Sequence, residues 1–356
     1  MHLIADWFKR HFSNPEVVFL AIVLIAVFTV ILVFGDVLGP VLASIVIAYL
    51  LEGIVKVLER NRIPRLIAVI LVFSIFLLAL TVVMFWLLPL LSSQLTQLAQ
   101  DIPSYLTRGQ GALLQLPTRY PEVISAEQVN DIIRLLRLEL TTWGQKVVTF
   151  SLSSVLGLIT LLLYLILMPI LVFFFLKDKK KIVSWLLHYM PSDYKLAQSV
   201  WQEVDGQIAN YIRGKFWEIL IVWAVCFFTF SYFGLQYAML LGLLVGLSVL
   251  IPYVGAAVVT VPVYLIAWFQ FGWSTEFIYV AVAYLIIQAL DGNVLVPILF
   301  SEVVNLHPVA IITAILIFGG IWGILGVFFA IPLATLVQAV LRSWPKGEKS
   351  ASAPSP

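Results

Sequence analysis

Apolar stretches long enough to cross a membrane alternate with short charged links along most of the chain. A helix of about 20 apolar residues spans a hydrocarbon core of about 30 Å. The pattern predicts an all-α, polytopic helical membrane protein, with Gly35 and Asp36 as the turn between the first two spans. The first five spans are predicted at Val17–Phe34, Val37–Leu51, Leu66–Leu88, Leu152–Leu176 and Phe216–Phe233.

A polar stretch interrupts this pattern between residues 89 and 150. Ser, Thr, Gln, Pro and charged residues appear there, and the apolar residues become periodic. Ser125 and Gln128 form a capping box, after which apolar residues recur with helical spacing. We therefore predict transmembrane helices 1–3 in residues 1–88 and a small helical extramembrane domain in residues 89–150.

Residues 151–215 combine the fourth span with a basic link. Lys177-Asp-Lys-Lys-Lys181 follows the span, and Pro191–Lys215 places an apolar residue at every fourth position among polar ones. This spacing is typical of an amphipathic helix that packs on other helices or lies in the membrane interface. Residues 343–356 are predicted to be a disordered cytoplasmic tail.

Two C-terminal stretches are too long for one straight span, and each is broken in its middle. Ala238–Phe269 contains Ile251-Pro-Tyr-Val-Gly255, and Val309–Leu341 contains the glycines of Gly319–Gly326. Irregular backbone at membrane depth must be buried in protein or face a water-filled cavity. Two readings stay open, namely about eight transmembrane helices, or six plus two re-entrant hairpins. Because broken helices in inverted repeats are a transporter arrangement, residues 216–342 are predicted to be a transport core.

Composition agrees with a membrane protein and excludes other classes. Of 356 residues, 62% are hydrophobic and 11% are charged, whereas a soluble domain has about 25% charged residues. A net charge of +2 gives no indication of nucleic acid binding. Cys226 is the only cysteine, so the chain offers neither an intramolecular disulfide nor a cysteine-based metal site.

The placement of lysine and arginine predicts the orientation in the membrane. These residues are concentrated in the N-terminus, the two links 52–65 and 177–215, and the C-terminal tail. Cytoplasmic segments carry an excess of Lys and Arg. We therefore predict cytoplasmic N- and C-termini in a bacterial inner membrane, with residues 89–150 outside, in the periplasm of a Gram-negative cell.

The acidic residues of the C-terminal region are the first candidates for chemistry. Residues 216–341 contain no Lys or Arg, and acids at membrane depth usually serve ions, protons or substrate. Asp291, with Gln288 and Asn293 beside it, is the strongest candidate for binding a solute or ion. The alternative is a plain Asp-Gly turn at the end of a span.

A second group of polar residues ranks lower. Glu302, Asn305 and His307 form either a proton relay or an interfacial loop, and Glu218 either serves transport or pairs with Arg213 or Lys215. The breaks at Pro252, Gly255 and Gly320 are expected to line the site with Asp291. Signatures of hydrolases and phosphate-binding loops are missing from the sequence, so we expect no enzyme activity, cofactor or metal.

Several motifs together resemble the autoinducer-2 exporter family, and they are most similar to its PerM-type permease branch. They are Phe173–Asp178, Ile251–Gly255, Leu285–Asn293, Phe300–Pro308 and the glycines from Gly319 to Gly326 that lead to Ile331-Pro332. Ala256 departs from the proline that many relatives carry after the glycine. The resemblance implies an inner-membrane transporter with about eight helices, no cofactor and a homo-oligomeric state.

Four functional hypotheses follow. The first is a secondary transporter or permease that exports a small polar solute. Asp291 also fits a cation or proton antiporter that moves H+ or Na+. A third is a membrane scaffold without transport, and a fourth is a passive oligomeric pore. Binding of an anionic borate form of the autoinducer requires positively charged groups, and residues 216–341 contain no Lys or Arg. A neutral form of the solute, or export coupled to a cation held by Asp291, is therefore more compatible with this region.

Overall fold

The computed structural model describes residues 15–114, 127–134 without 128 and 132, 155–188, 195–300 without 253, and 306–343. Every regular element in these ranges is helical, which confirms the predicted fold class. The helices are α1 Pro15–Arg60, α2 Arg65–Val82, α3 Leu88–Leu114, α4 Val155–Lys177, α5 Lys179–His188, α6 Lys195–Tyr232, α7 Ala238–Ser248, α8 Val254–Phe271, α9 Thr275–Leu290, α10 Val296–Phe300 and α11 Pro308–Ser343.

Five helical segments within the described residues are long and apolar enough to cross a membrane. They are Val37–Arg60, Arg65–Gly111, Val204–Tyr232, Val254–Phe271 and Thr275–Phe300. Shorter apolar helices accompany them. The protein is therefore a multi-pass helical membrane protein.

Helix α1 corrects the prediction of two separate spans before residue 60. Its 46 residues continue through Gly35 and Asp36 without a turn, and such a helix is about 70 Å long. Glycine and aspartate weaken a helix by only about 1 kcal/mol each, which is too little to stop one between apolar segments. Nothing lies within 4 Å of a Cβ added at Gly35, so no packing contact demands a turn there.

Helices α2 and α3 are continuous across the predicted domain boundary at residue 89. A π-helical turn, Val83–Leu87, joins them into one continuous helical segment that contains Pro89. Proline lacks an N–H and its ring collides with the carbonyl four residues earlier, and the wider π turn accommodates both effects. The extramembrane placement of residues 89–150 stays a prediction. The described residues of 127–134 are helical, while Ser125 lies outside the described part.

Helix α6 joins two segments that the sequence analysis separated. It runs without interruption from Lys195 to Tyr232, so the amphipathic segment and the fifth span are one helix. Helix α4, by contrast, agrees closely with the predicted fourth span.

The chain divides into two compact units. One contains residues 1–70, 168–216 and 298–356, and the other contains residues 71–167 and 217–297. The first unit includes α4 from Met168 onward, α5 and α11. The second includes α3, α7, α8 and α9, with one buried core that contains Cys226, Leu241 and Tyr284.

Helices α7 and α8 form a hairpin in the second unit, called hairpin A below. Gln270 closes its base, since Nε2 donates to the Gly234 carbonyl at 2.8 Å and Oε1 accepts from the Gln236 N–H at 2.8 Å. Helix α7 has 11 residues, about 16 Å, and cannot cross a core of about 30 Å. This geometry favours the re-entrant reading of residues 238–269, although α8 alone is long enough to span.

Helix α11 contains a second reversal in the first unit, called hairpin B. Gly323 has φ 60° and ψ −136°, a conformation that glycine adopts easily. The halves Pro308–Gly323 and Gly326–Val340 are each apolar but short. A Cβ on Gly326 would overlap the Phe318 carbonyl oxygen, so the chain folds back on itself here. A hairpin rather than a single span is therefore favoured for both broken stretches.

Polar side chains of α3 hold the base of hairpin A. Asp101 accepts a hydrogen bond from the Tyr237 hydroxyl. Burial is the main cause that raises the pKa of Tyr237 above its usual value, and this hydrogen bond raises it further. Four further contacts complete the base. Gln94 Oε1 accepts from Leu240 N at 2.9 Å, and Arg108 donates to the Phe269 carbonyl at 3.0 Å. The Tyr105 hydroxyl donates to Gln236 at 3.1 Å, and the Tyr105 ring stacks on the Phe269 ring with their centres 4.8 Å apart.

Candidate functional site

The leading candidate, Asp291, lies inside a helical segment that is long and apolar enough to cross a membrane. A π-helical turn, Asp291–Leu295, connects α9 to α10, so the helical segment continues from Thr275 to Phe300. The Asp291 N–H bonds to the carbonyls of Ile287 and Gln288. The helix therefore continues past residues 288–293, and the alternative of a plain Asp-Gly turn at the end of a span is wrong. Water does not compete for backbone bonds in apolar surroundings, so continued helical bonding is favoured there.

Proline explains why the turn occurs at this position. Pro297 has no N–H and would collide with the Asn293 carbonyl in a regular helix. The Val296 N–H bonds instead to the Asp291 carbonyl five residues earlier. Turns of this type are rare and frequently occur at functional sites.

Asp291 belongs to a polar stripe that runs along the inner face of α9 into the π turn. Tyr284, Gln288 and Asp291 are spaced by four and three residues, which places them on one helical face. Tyr284 is fully buried, and Gln288 and Asp291 are partly buried, whereas Leu285, Ile286, Ala289 and Leu290 between them are exposed. The stripe therefore faces the interior of the second unit.

The stripe meets polar groups on neighbouring helices of the same unit. The Tyr284 hydroxyl lies 3.1 Å from Thr260 Oγ1 on α8. Cys226 on α6 is fully buried and belongs to the same buried core as Tyr284. Tyr284 and Thr260 were not predicted from the sequence, although a tyrosine one helical turn before Gln288 was a usable signal.

Gln288 supplies an available donor within this stripe. Its Nε2 is shielded from solvent and forms no hydrogen bond to any described residue. The Asp291 Oδ1 atom is shielded as well. A buried amide donor and a carboxylate one turn apart can bind a solute that carries both an acceptor and a donor.

Asn293 has a different position from Asp291. Its side chain is exposed, and Nδ2 donates to the Ala289 carbonyl at 2.8 Å. A π turn disturbs the regular pairing of helix carbonyls, and this bond supplies one of them with a donor. The geometry thus explains Asn293 as support for the turn, and its predicted contact with solute stays a prediction.

Pro252 and Gly255 lie at the tip of hairpin A. Pro252 is partly exposed, and its carbonyl accepts from Val254 N at 2.7 Å. A Cβ on Gly255 would overlap the Ser248 carbonyl oxygen, so this position requires glycine for the close approach of the two helices. Gly320 belongs to the other unit, where it is exposed with nothing within 4 Å of an added Cβ.

The lower-ranked candidates are distributed differently. His307 is exposed and starts α11, because Nδ1 accepts from Val309 N at 3.3 Å and its carbonyl accepts from Ala310 N at 2.8 Å. Glu302 and Asn305 lie outside the described residues. Glu218 is 2% exposed in the second unit. Arg213, one of its expected partners, donates within its own helix to Ala209 and Asn210.

Comparison with known proteins shows what kind of protein carries this site. The profile of the family described as "AI-2E family transporter" matches residues 19–346. The chain belongs to the AI-2E transporter family. The resemblance stated from the sequence motifs is thereby confirmed, and so is the assignment as a membrane transporter of the permease type.

Named relatives in several bacteria extend this result. "Putative permease PerM" of Escherichia coli (strain K12) is 45% identical over 98% of this chain and 99% of its own length. "Putative transport protein YueF" of Bacillus subtilis (strain 168) is 26% identical over 93% and 92%. "AI-2 transport protein TqsA" of Escherichia coli (strain K12) is 23% identical over 89% of each chain. All three names describe transport rather than catalysis.

Proposed function

We propose that this AI-2E family member is a secondary permease of the bacterial inner membrane that exports a small polar solute past Asp291. The observation that carries the proposal is the stripe of Tyr284, Gln288 and Asp291 on the inner face of a membrane span. Ionisable side chains at membrane depth are costly and usually functional. The π turn presents the carboxylate on that inner face.

The solute is expected to be small, polar and not strongly anionic. Gln288 offers a donor and Asp291 an acceptor, while the sequence from 216 to 341 contains no Lys or Arg. An anion at this stripe would meet a carboxylate of the same charge. A neutral solute, or one accompanied by a cation, therefore suits the stripe better.

Flux measurements on Asp291→Asn in proteoliposomes test this proposal. We expect the substitution to abolish uptake or release of the solute, because an amide has the same shape without the charge. Glu276→Gln is the matched control, since Glu276 is an exposed acid in the first turn of the same helix. Equal flux in wild type and Asp291→Asn would remove Asp291 from the mechanism.

A cation or proton antiporter is the second candidate, favoured by the same carboxylate. Proteoliposomes loaded with a pH-sensitive dye distinguish it, since Na+ added outside would then move protons in wild type and not in Asp291→Asn. If the protein is a scaffold, a variant without transport activity should still restore the phenotype of cells that lack the protein. A passive pore would show single-channel conductance without saturable exchange. Homo-oligomerisation is tested by the mass of the purified complex.

Orientation is part of the same proposal. We place the links 52–65 and 177–215 and the C-terminus in the cytoplasm, and residues 89–150 outside. With two hairpins, a cysteine at Ser301 in a Cys226→Ala background should react only from the cytoplasmic side. With eight spans it would react from outside. A cysteine at His2 tests the N-terminus, because a single crossing by α1 would put that end outside, against the charge-based prediction.

A further inference from the structure

The first unit contains a cavity that is separate from the stripe on α9. It has a volume of about 210 Å³ and lies among α1, α4, α5 and α6. Its lining consists of Ile45, Ala48, Tyr49, Glu52, Phe175, Leu176, Lys179, Ile182, Val183 and Trp201. All of these residues belong to one compact unit. Most of the wall is aliphatic or aromatic, which suits a hydrocarbon chain better than a polar solute.

One end of the cavity is charged. Glu52 is 7% exposed and is neutralised by two cations, Arg65 at 3.1 Å and Lys179 at 3.7 Å. The Lys179 ammonium also lies 5.7 Å from the centre of the Tyr49 ring, and the Tyr49 hydroxyl donates to Asp205 at 2.5 Å. Because an ammonium carries three N–H donors, Lys179 can bind an anion while it stays near Glu52.

The surroundings of this end are strongly basic. Exposed cations flank the cavity in sequence on α1, in the link after it, at the end of α4 and at the start of α5. Besides Glu52 and Asp205, the acids near them are Glu59, which pairs with Arg65 at 3.2 Å, and Asp178, which pairs with Lys181 at 3.5 Å. The exposed cations are Lys56, Arg60, Arg62, Lys177, Lys180 and Lys181. Basic clusters beside transmembrane helices attract anionic lipid headgroups.

Two exposed tryptophans suit a cavity at the depth of lipid headgroups. Trp201 in its wall is 55% exposed, and Trp185 on α5 is 60% exposed. Tryptophan is enriched where a membrane meets water. A lipid at this depth can put its phosphate near Lys179 and an acyl chain along Ala48, Phe175 and Val183.

We propose that this cavity is a binding site for one anionic phospholipid. Lys179 and the neighbouring cations bind the headgroup phosphate, and the apolar wall receives part of an acyl chain. Such a lipid would bridge α1, α4, α5 and α6, so its binding should stabilise the first unit.

Native mass spectrometry of the full-length protein tests this, with equal amounts of phosphatidylglycerol and phosphatidylcholine added in detergent. Wild type should retain one phosphatidylglycerol per chain, with a preference of about fivefold or more, the effect of about one basic residue near an anionic surface. Ala48→Phe should lower retention by a similar factor because the ring fills the cavity. Ala26→Phe is the matched control on an exposed position of the same helix.

The charged end is tested by two substitutions at one position. Lys179→Gln should remove the preference for phosphatidylglycerol, and Lys179→Arg should keep it. Equal retention of the two lipids by wild type, or an unchanged preference in Lys179→Gln, would overturn the proposal even if Ala48→Phe fails to fold. Displacement of the lipid by inorganic phosphate at the same concentration would also contradict it, since the headgroup anion alone would then suffice.

Discussion

Two helical segments of the second unit contain the same backbone irregularity with different chemistry. In Val83–Leu87 the Val83 carbonyl accepts from the N–H five residues later, and in Asp291–Leu295 the Asp291 carbonyl does the same. Each turn is followed after one residue by a proline, Pro89 or Pro297. The common placement indicates that proline, and not the polar side chains, produces the turn.

The side chains of the two turns differ in polarity and burial. The first turn is entirely apolar, and its Phe85 is 82% exposed and Trp86 58% exposed. The second carries Asp291, whose carboxyl oxygen Oδ1 is shielded inside the unit. A π turn alone is therefore no evidence of a site, and Asp291 is a candidate because its carboxylate lies on a partly buried polar stripe.

The largest difference between the turns should be seen in transport. We expect Asp291→Asn to lower flux to background, a loss of more than about tenfold and so of more than about 1.4 kcal/mol of interaction. Trp86→Leu, an exposed change in the apolar turn, should leave flux within about twofold, since a lipid-facing side chain contributes little to the pathway. Proteoliposome flux at matched protein content measures both, and equal losses would mean that the comparison is wrong.

Substitution of each proline should have the next largest effect, on flux for Pro297 and on the thermal midpoint for Pro89. Pro297→Ala permits a regular helix, which would rotate Asp291 relative to α10, so flux should fall by several-fold, about 1 kcal/mol. Pro89→Ala permits the same relaxation in the apolar turn and should mainly raise the thermal midpoint. If both variants transport like wild type, the turns do not depend on proline or do not matter for transport.

Asn293→Leu should have a moderate effect on stability. The substitution removes the 2.8 Å bond to the Ala289 carbonyl, which costs about 1 kcal/mol for a hydrogen bond of this kind. A thermal scan followed by tryptophan fluorescence should show a lower midpoint, with flux per folded protein preserved. Loss of flux at an unchanged midpoint would instead return Asn293 to the group of solute contacts.

The smallest effect is expected for Gly292→Ala. Nothing lies within 4 Å of a Cβ added there, and alanine in place of glycine stabilises a helix by about 0.5–1 kcal/mol. The midpoint should stay the same or rise slightly. A clear loss of flux in this variant would show that a solute approaches the backbone of the polar turn, because only the added methyl group could obstruct it.

Much of the fold was predictable because apolar runs and their interruptions can be read directly from the local sequence. Helix α4, Val155–Lys177, was predicted from apolar length alone, and the breaks near Gly255 and Gly323 were predicted from glycine and proline. The turn at Gly35 and Asp36 was predicted wrongly, because weak helix breakers do not interrupt an apolar helix. Helix continuity through Pro89 and Pro297 was missed because a π turn leaves no periodic signal.

The candidate site was predicted in part for similar reasons. Asp291 and Gln288 were conspicuous as polar residues in apolar surroundings. Tyr284 and Thr260 were not, since their meeting at 3.1 Å depends on how α8 packs on α9. The cavity beside Lys179 was also invisible, because its lining comes from four helices that are far apart in the sequence.

The sequence by itself determined the class of protein, its membrane environment and its family, and it supplied Asp291 as the leading candidate acid. These properties follow from composition, apolar length and short motifs, each of which is local. Only the tertiary structure showed that the chain folds back on itself in both broken stretches, that the helix continues through Asp291, and that α3 holds the base of hairpin A. Those outcomes depend on contacts such as the one between Asp101 and Tyr237, which are 136 positions apart, and no local pattern encodes such a contact.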